Sequence, residues 1–159
     1  MKELQDLLKN NKVDALIPVY VDDIGNCTEI IVNGESYLKT TTIDTCIKNL
    51  ADYYNISLYH NRVNYGKELG ITNKVPIVIS DELIYIYINV RKPKCGHDSA
   101  YGFIDVKAID EIYEKNKNAV IHMKSGRIIE TRQSVASLKK SILYARLIRE
   151  IYKERHHKK

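Results

Sequence analysis

The stretch from Lys74 to Val106, KVPIVISDELIYIYINVRKPKCGHDSAYGFIDV, limits what this chain can fold into more than any other. Residues 76–79 and 83–88 are apolar runs of strand length, joined by Ser80-Asp81-Glu82. They predict a hairpin, and apolar character on both faces predicts a central, well-covered pair. Residues 89–100 break the pattern with Arg91, Lys92 and Lys94 around Pro93, followed by Gly96. Residues 101–106 read as a third strand. A basic loop set between strands predicts cations that a sheet holds out toward something anionic.

The chain has 159 residues. That length suits one domain with a real core, or at most two small ones. A hydrophobic share of 44% fits a folded chain and not a disordered one. No run of about 18 apolar residues predicts a transmembrane helix. The start, MKELQDLLKNNKVD, has no apolar signal core, so a cytoplasmic protein with no membrane partner is expected. Cys27, Cys46 and Cys95 are odd in number and widely spaced, which predicts reduced thiols and no disulfide framework.

The net charge of +5 is unevenly spread. Residues 1–123 carry 14 Lys+Arg and 17 Asp+Glu, a net of −3, whereas residues 124–159 carry 11 and 3, a net of +8. A basic end on a mildly acidic body suggests a nucleic acid or another anionic partner.

Taken in order, residues 2–9 place Leu4, Leu7 and Leu8 at helical spacing. Residues 15–21 read as a strand that Pro18 places at an edge or interrupts. Residues 27–32 and 36–40 flank Asn33-Gly34, whose tolerance of positive φ marks a hairpin turn. Ile43, Cys46, Ile47, Leu50 and Tyr54 share one helical face, with Thr42 as the cap, and should lie over that hairpin. Residues 57–73 interleave Tyr59, His60, Arg62, Tyr65 and Lys67 between glycines. They predict a loop, its tyrosines packed locally or touching nucleic acid. Residues 106–113 suggest a short helix. Residues 120–124 and 128–132 form a hairpin around Ser125-Gly126. Residues 134–156 form the longest helix, with Leu138, Ile142, Ala145, Ile148 and Tyr152 as its apolar stripe and Lys139, Arg146, Arg149 and Lys153 beside it.

No phosphate-binding loop, nucleophile elbow or zinc-protease motif is present. Cys95-Gly96-His97 offers two zinc ligands without a completing pair. Neighbours in sequence such as Cys95, His97 and Asp98 rarely form a triad, because such groups converge from separate elements. A non-enzymatic binding protein without cofactor or metal is therefore expected. Long cations on the 89–100 loop could neutralise phosphates or enter a narrow A·T minor groove. A regulatory module that uses the apolar stripe of the last helix and never meets DNA is the alternative.

Several residues in combination resemble the bacterial competence transcription factor family (ComK). They are Cys27 and Ile30-Ile31 before Tyr37, and Lys74 with Pro76-Ile77 before the apolar hairpin. Pro93, Cys95 and Gly96 follow, then Val106, Ser125-Gly126, and finally Ser137, Ile148, Arg149 and Tyr152. The likeness spans roughly residues 15–153. It implies a DNA-binding activator of DNA-uptake genes that recognises A/T-rich boxes largely through the minor groove. It also implies an oligomer controlled by a protease adaptor. Where the family usually has Trp after Cys-Gly, this chain has His97. Ten residues follow Arg149, fewer than the family tail that aids degradation, so turnover through such a tail is expected to be lost or moved.

The expectation is one α+β domain over residues 1–159, with 1–12 and 154–159 loosely ordered. Antiparallel β-hairpins would pack with one mid-chain helix and a long C-terminal helix. Arg91, Lys92 and Lys94 are the first candidates for contact with double-stranded DNA. Arg62, Lys67, Lys124 and Arg127 follow, then Arg149 with Lys139 and Arg146.

Overall fold

The computed structural model describes residues 3–156. It is an α+β fold in which every strand pairing is antiparallel. The chain begins with α1 (Leu4–Leu8), β1 (Ala15–Val21), β2 (Gly25–Val32) and β3 (Glu35–Lys39). It continues through α2 (Ile43–Tyr53), α3 (Leu58–Leu69), β4 (Ile77–Ser80), β5 (Leu83–Asn89) and β6 (Tyr101–Asp105). A 3₁₀ turn (Val106–Ala108) leads to β7 (Ile109–Lys115), β8 (Asn118–Met123), β9 (Ile128–Glu130) and α4 (Val135–His156). Six strands form one sheet in the order β3-β2-β1-β6-β5-β4, and β7-β8-β9 form a second.

The six-stranded sheet is covered on both faces. One face presents Leu16, Ile30, Val32, Tyr85 and Phe103 to the buried leucines of α1 and to Ile43, Cys46, Ile47 and Leu50 of α2. The other presents Ala15, Ile17, Ile31, Ile84, Ile86, Ile88 and Ile104. These meet Ala119, Ile121 and Met123 of β8 and Leu138, Ala145 and Ile148 of α4. Alternation along β5 therefore places Ile84, Ile86 and Ile88 in one core and Tyr85 in the other. Each of these isoleucines contributes about 1.5–3 kcal/mol of burial free energy before entropy is counted.

Several expectations hold. Asn33 (φ 51°) and Gly34 (φ 83°) turn the β2–β3 hairpin in the left-handed region. Thr42 caps α2 by accepting from Thr45 N–H at 3.4 Å. The apolar stripe of α4 is inward, with Leu138, Ala145 and Ile148 fully buried.

Other expectations are corrected. Pro18 does not confine β1 to an edge, because β1 lies between β2 and β6. It is tolerated because β6 pairs with β1 only at Ala15 and Leu16, short of Pro18. Gly102 permits that close approach, since a Cβ there would stand 2.5 Å from Leu16 O and 3.1 Å from Pro18 Cδ. The apolar hairpin is not central, as β4 is the edge strand. Residues 57–73 are not a loop: α3 occupies most of them, capped by Ser57 accepting from His60 N–H at 3.2 Å. Gly70 (φ 70°) ends that helix in the left-handed region that favours glycine. There are thus two mid-chain helices where one was expected.

Residues 106–113 form the 3₁₀ turn and the start of β7, not a longer helix. The expected loose start of the chain is a docked helix, with Leu4, Leu7 and Leu8 all buried. At the other end α4 runs through His156, whose ring stacks on Tyr152 at 3.9 Å. The fraying expected of residues 157–159 lies outside the described residues.

The edge strand β4 is protected by one side chain. Asn61 of α3 is 7% exposed. Its Nδ2 donates to Pro76 O at 2.8 Å and its Oδ1 accepts from Val78 N–H at 3.0 Å. The amide stands in for a neighbouring strand, blunting an edge that would otherwise be open to pairing. The same two bonds fix α3 against the end of the sheet.

Candidate nucleic-acid interface

Antiparallel pairing brings the end of β1, the end of β5 and the start of β6 to one end of the sheet. Tyr20, Asn89 and Tyr101 mark it, with Asn89 opposite Tyr101. The basic loop leaves from there, tethered by Val90 N–H to Ala100 O at 2.9 Å and Asn89 N–H to the Gln133 side chain at 2.7 Å.

Tyr20 pins the loop. Its hydroxyl donates to Asp98 Oδ2 at 2.6 Å and accepts from Lys94 N–H at 2.8 Å, while Asn26 Nδ2 donates to the other Asp98 oxygen at 3.3 Å. Partial burial and the bond to Asp98 hold the phenol above its ordinary pKa. The Arg91 guanidinium carbon lies 4.1 Å from the ring centroid and Lys94 Nζ lies 4.7 Å from it. Both are cation–π contacts.

The predicted cations have different fates. Arg91 is folded in rather than held out. Its Nε donates to Ser99 O at 2.8 Å, and its Nη1 and Nη2 are buried with no hydrogen-bond partner among the described residues. Lys92 and Lys94 have exposed side chains, as do Cys95 and His97. Asp98 gives its side-chain oxygens to Tyr20 and Asn26, its backbone N–H donates to Cys95 O at 3.1 Å, and among the described residues no hydrogen bond joins its carboxylate to the side chain of His97 or Cys95. Cys27 and Cys46 are buried free thiols, and Cys95 is an exposed one. Among the described residues no group of three His, Cys, Asp or Glu is placed to hold a metal ion, and no helix is long and apolar enough to cross a membrane.

Arg62 and Lys67 join the loop through residues that sequence reasoning did not put in the site. Lys74 Nζ lies 4.5 Å from the Tyr101 ring centroid, and Tyr101 stands 6.3 Å from Tyr87. Tyr87 and Arg62 line one cleft beside α3, and Arg62 and Lys67 line the next. Burial first, then the charge of Asp44, raises the Tyr87 pKa, while Arg62 lowers it. The result is a strip of tyrosines and cations along one end of the sheet, from Lys94, Lys92 and Tyr20 through Tyr101 and Lys74 to Tyr87, Arg62 and Lys67.

The remaining candidates lie elsewhere. Arg127 pairs with Glu29 at 2.9 Å, and a Cβ on Gly34 would touch Ser125, so the 124–127 turn packs on the β2–β3 turn. That turn is at the opposite end of the sheet from Tyr20. Lys124 is exposed there, in a cleft with Lys12, Lys107, Asp14, Glu82 and Asp105. Arg149 donates from Nε to Asp81 O at 3.0 Å, bracing α4 on the β4–β5 turn, again at the far end. Lys139 and Arg146 flank a groove between α4 and β7, facing Asp110 and Glu111.

Lys74 stood at the border of the opening stretch, and its place over the Tyr101 ring is visible only in the structure. Tyr20, Tyr87 and Tyr101 carried no sequence signal, because a strand-end tyrosine looks the same whether it packs or presents a surface.

A scan of family models, a search of curated proteins and a search of solved structures each found no match to this chain.

Proposed function

We propose that the chain is a non-enzymatic DNA-binding protein that docks double-stranded DNA on the strip at the Tyr20–Tyr101 end of the sheet. The observation that carries this reading is the pinning of the loop. Tyr20 holds the loop at the Lys94 backbone and at Asp98, so Lys92 and Lys94 project from a pinned loop at the end of the sheet where Lys74 lies over Tyr101, with Arg62 and Lys67 in the neighbouring clefts. A preformed row of cations neutralises phosphates at a lower ordering cost than a mobile tail. Arg91 acts as a brace, and Lys124, Arg127 and Arg149 lie off the contact surface.

The resemblance to competence transcription factors extends the proposal to activation of DNA-uptake genes and to A/T-rich boxes read largely from the minor groove. Gel-shift titration of an A/T-rich and a G/C-rich duplex, with and without a minor-groove drug, tests this. Preference for the A/T-rich duplex and displacement by the drug support the reading. Equal binding to both, undisturbed by the drug, refutes the minor-groove part.

One observation favours a second contact surface on α4. Leu143 and Leu147 are 59% and 50% exposed, one helical turn apart. Leu143 borders the groove that has Lys139 and Arg146 on one wall and Asp110 and Glu111 on the other. Turned over by a two-fold axis, such a groove opposes acid with base, so its occupant in this reading is a second copy of the chain. This supplies the homo-oligomer, and it is also the surface on which the DNA-free interaction module would rest. Sedimentation of the wild type against Leu143→Glu tests it: a dimer lost in the variant supports the reading, and a monomer in both refutes it.

A further inference from the structure

The cleft beside α3 holds about 270 Å³ between the first turn of the helix and β5. Tyr59 lines it and is 61% exposed, with the His60 ring edge-on to it at 5.4 Å. Arg62 lines the same cleft, its guanidinium carbon 5.6 Å from the Tyr59 centroid, and Tyr87 lines it from the sheet side. The Lys74–Tyr101 pair stands next to Tyr87. Asn61 also borders the cleft, but its amide is fully used on β4 and only fixes the shape. Arg62 and Lys74 form no ion pair among the described residues.

These features select one class of ligand. An exposed ring calls for a flat partner with a free π-face, and two unpaired cations call for anionic groups on either side of it. The hollow is far too small for a helix or a duplex, and within a duplex the base faces are already stacked. A base of a single strand meets all three requirements.

We infer that this cleft takes an unstacked base of a single-stranded nucleic acid, with Tyr59 stacking on the base and Arg62 and Lys74 holding the flanking phosphates. The inference shares the strip with the duplex reading but does not depend on Lys92 and Lys94. A strand parted from its duplex would lie along the same end of the sheet.

The experiment is fluorescence anisotropy with labelled oligo(dT), oligo(U) and an A/T-rich duplex. It compares the wild type with Tyr59→Ala, Tyr59→Phe, Arg62→Ala and the Lys92→Ala/Lys94→Ala pair. Tyr59→Ala is expected to weaken single-strand binding roughly 5- to 150-fold, the range for loss of one stacked base. Tyr59→Phe should retain it, and duplex affinity should be unchanged in both. Tighter binding of oligo(dT) than of oligo(U) identifies DNA as the natural strand, and the reverse identifies RNA. Because Tyr59 is mostly exposed, an unchanged thermal melt will accompany a true loss of binding. Arg62→Ala, at another exposed position, gives an independent second reading. Wild-type protein that binds neither oligonucleotide, or Tyr59→Ala that binds both as the wild type does, overturns the inference. If duplex binding persists in that outcome, the duplex reading stands without it.

Discussion

Replacement of Asn61 by Ala tests both the fold and the support of the strip. Asn61 makes two buried hydrogen bonds, to Pro76 O at 2.8 Å and from Val78 N–H at 3.0 Å. The variant leaves both backbone groups in place without partners. A buried group stripped of its partner costs about 1–3 kcal/mol, so the pair amounts to roughly 2–6 kcal/mol. For a chain of this size about 2–4 °C is lost per kcal/mol, which predicts a melting temperature lower by roughly 4–24 °C. Asn61→Asp separates the two bonds, since it keeps the acceptor for Val78 but presents an oxygen to Pro76 O. It should be nearly as damaging at neutral pH and milder in acid, where the carboxyl regains a donor. Thermal and urea unfolding of the three proteins gives the numbers. The freed edge of β4 should also raise concentration-dependent aggregation. A loss below about 1 kcal/mol for Asn61→Ala would mean that the amide does not hold the edge. It would equally mean that α3, with Tyr59 and Arg62, is held by packing alone.

Two other perturbations follow from the structure. Burial raises the Asp105 carboxyl from an ordinary value of 3.8 to about 6, against opposing bonds from the Lys107 and Ile84 backbone and the charge of Lys12. In the folded protein the ionised form is the disfavoured one, so this carboxyl costs stability as pH rises from about 4 to about 6 and holds a constant penalty above that. A gap of about two pH units corresponds to about 3 kcal/mol at most. Urea unfolding should therefore find Asp105→Asn more stable than the wild type at pH 8, with the advantage vanishing by pH 4; a difference independent of pH would show that Asp105 is not the group responsible. Tyr20→Phe keeps the ring beneath Arg91 and Lys94 but removes the hydroxyl that joins Asp98 to the Lys94 backbone. Hydrogen exchange at the Lys94 amide should accelerate and duplex affinity should fall while the melting temperature barely moves. Unchanged exchange would show that the loop is held by other contacts.

Much of the fold was legible because local chemistry and burial agree. Asn33-Gly34, Thr42 with the stripe of α2, and the stripe of α4 each pair a propensity with a buried face. Helix α3 was not legible, because its buried positions are Asn61, Tyr65 and Gly66, so the apolar stripe that marks a helix is missing. Strand β7 is not legible as a strand, because Ile109 and Ile112 are three apart and break the alternation of a regular strand. A register irregularity between Ile109 and Glu111 puts both against the core despite that odd spacing. The position of β1 was misjudged because Pro18 forbids only a ladder bond on its own side, and β6 stops short of it.

The site divided in the same way. The loop cations were visible as charges, but composition cannot tell a brace from a contact. Arg91, Arg127 and Arg149 find partners inside the molecule, at Ser99, Glu29 and Asp81. Lys92, Lys94, Arg62 and Lys67 have exposed side chains. Which cations share a surface depends on strand direction: the end of β1 that carries Tyr20 meets the start of β6, while the 124–127 turn meets the other end.

The salt dependence of duplex binding tests the central claim most directly. Each phosphate neutralised contributes about −0.9 to the slope of log K against log salt concentration. Lys92→Ala/Lys94→Ala should therefore reduce the magnitude of the wild-type slope on an A/T-rich duplex by about 2 and weaken binding at low salt. Lys124→Ala, at the far end of the sheet, should leave both unchanged. A wild-type affinity that does not vary with salt, or a slope that falls with Lys124→Ala and not with the loop pair, would contradict the account.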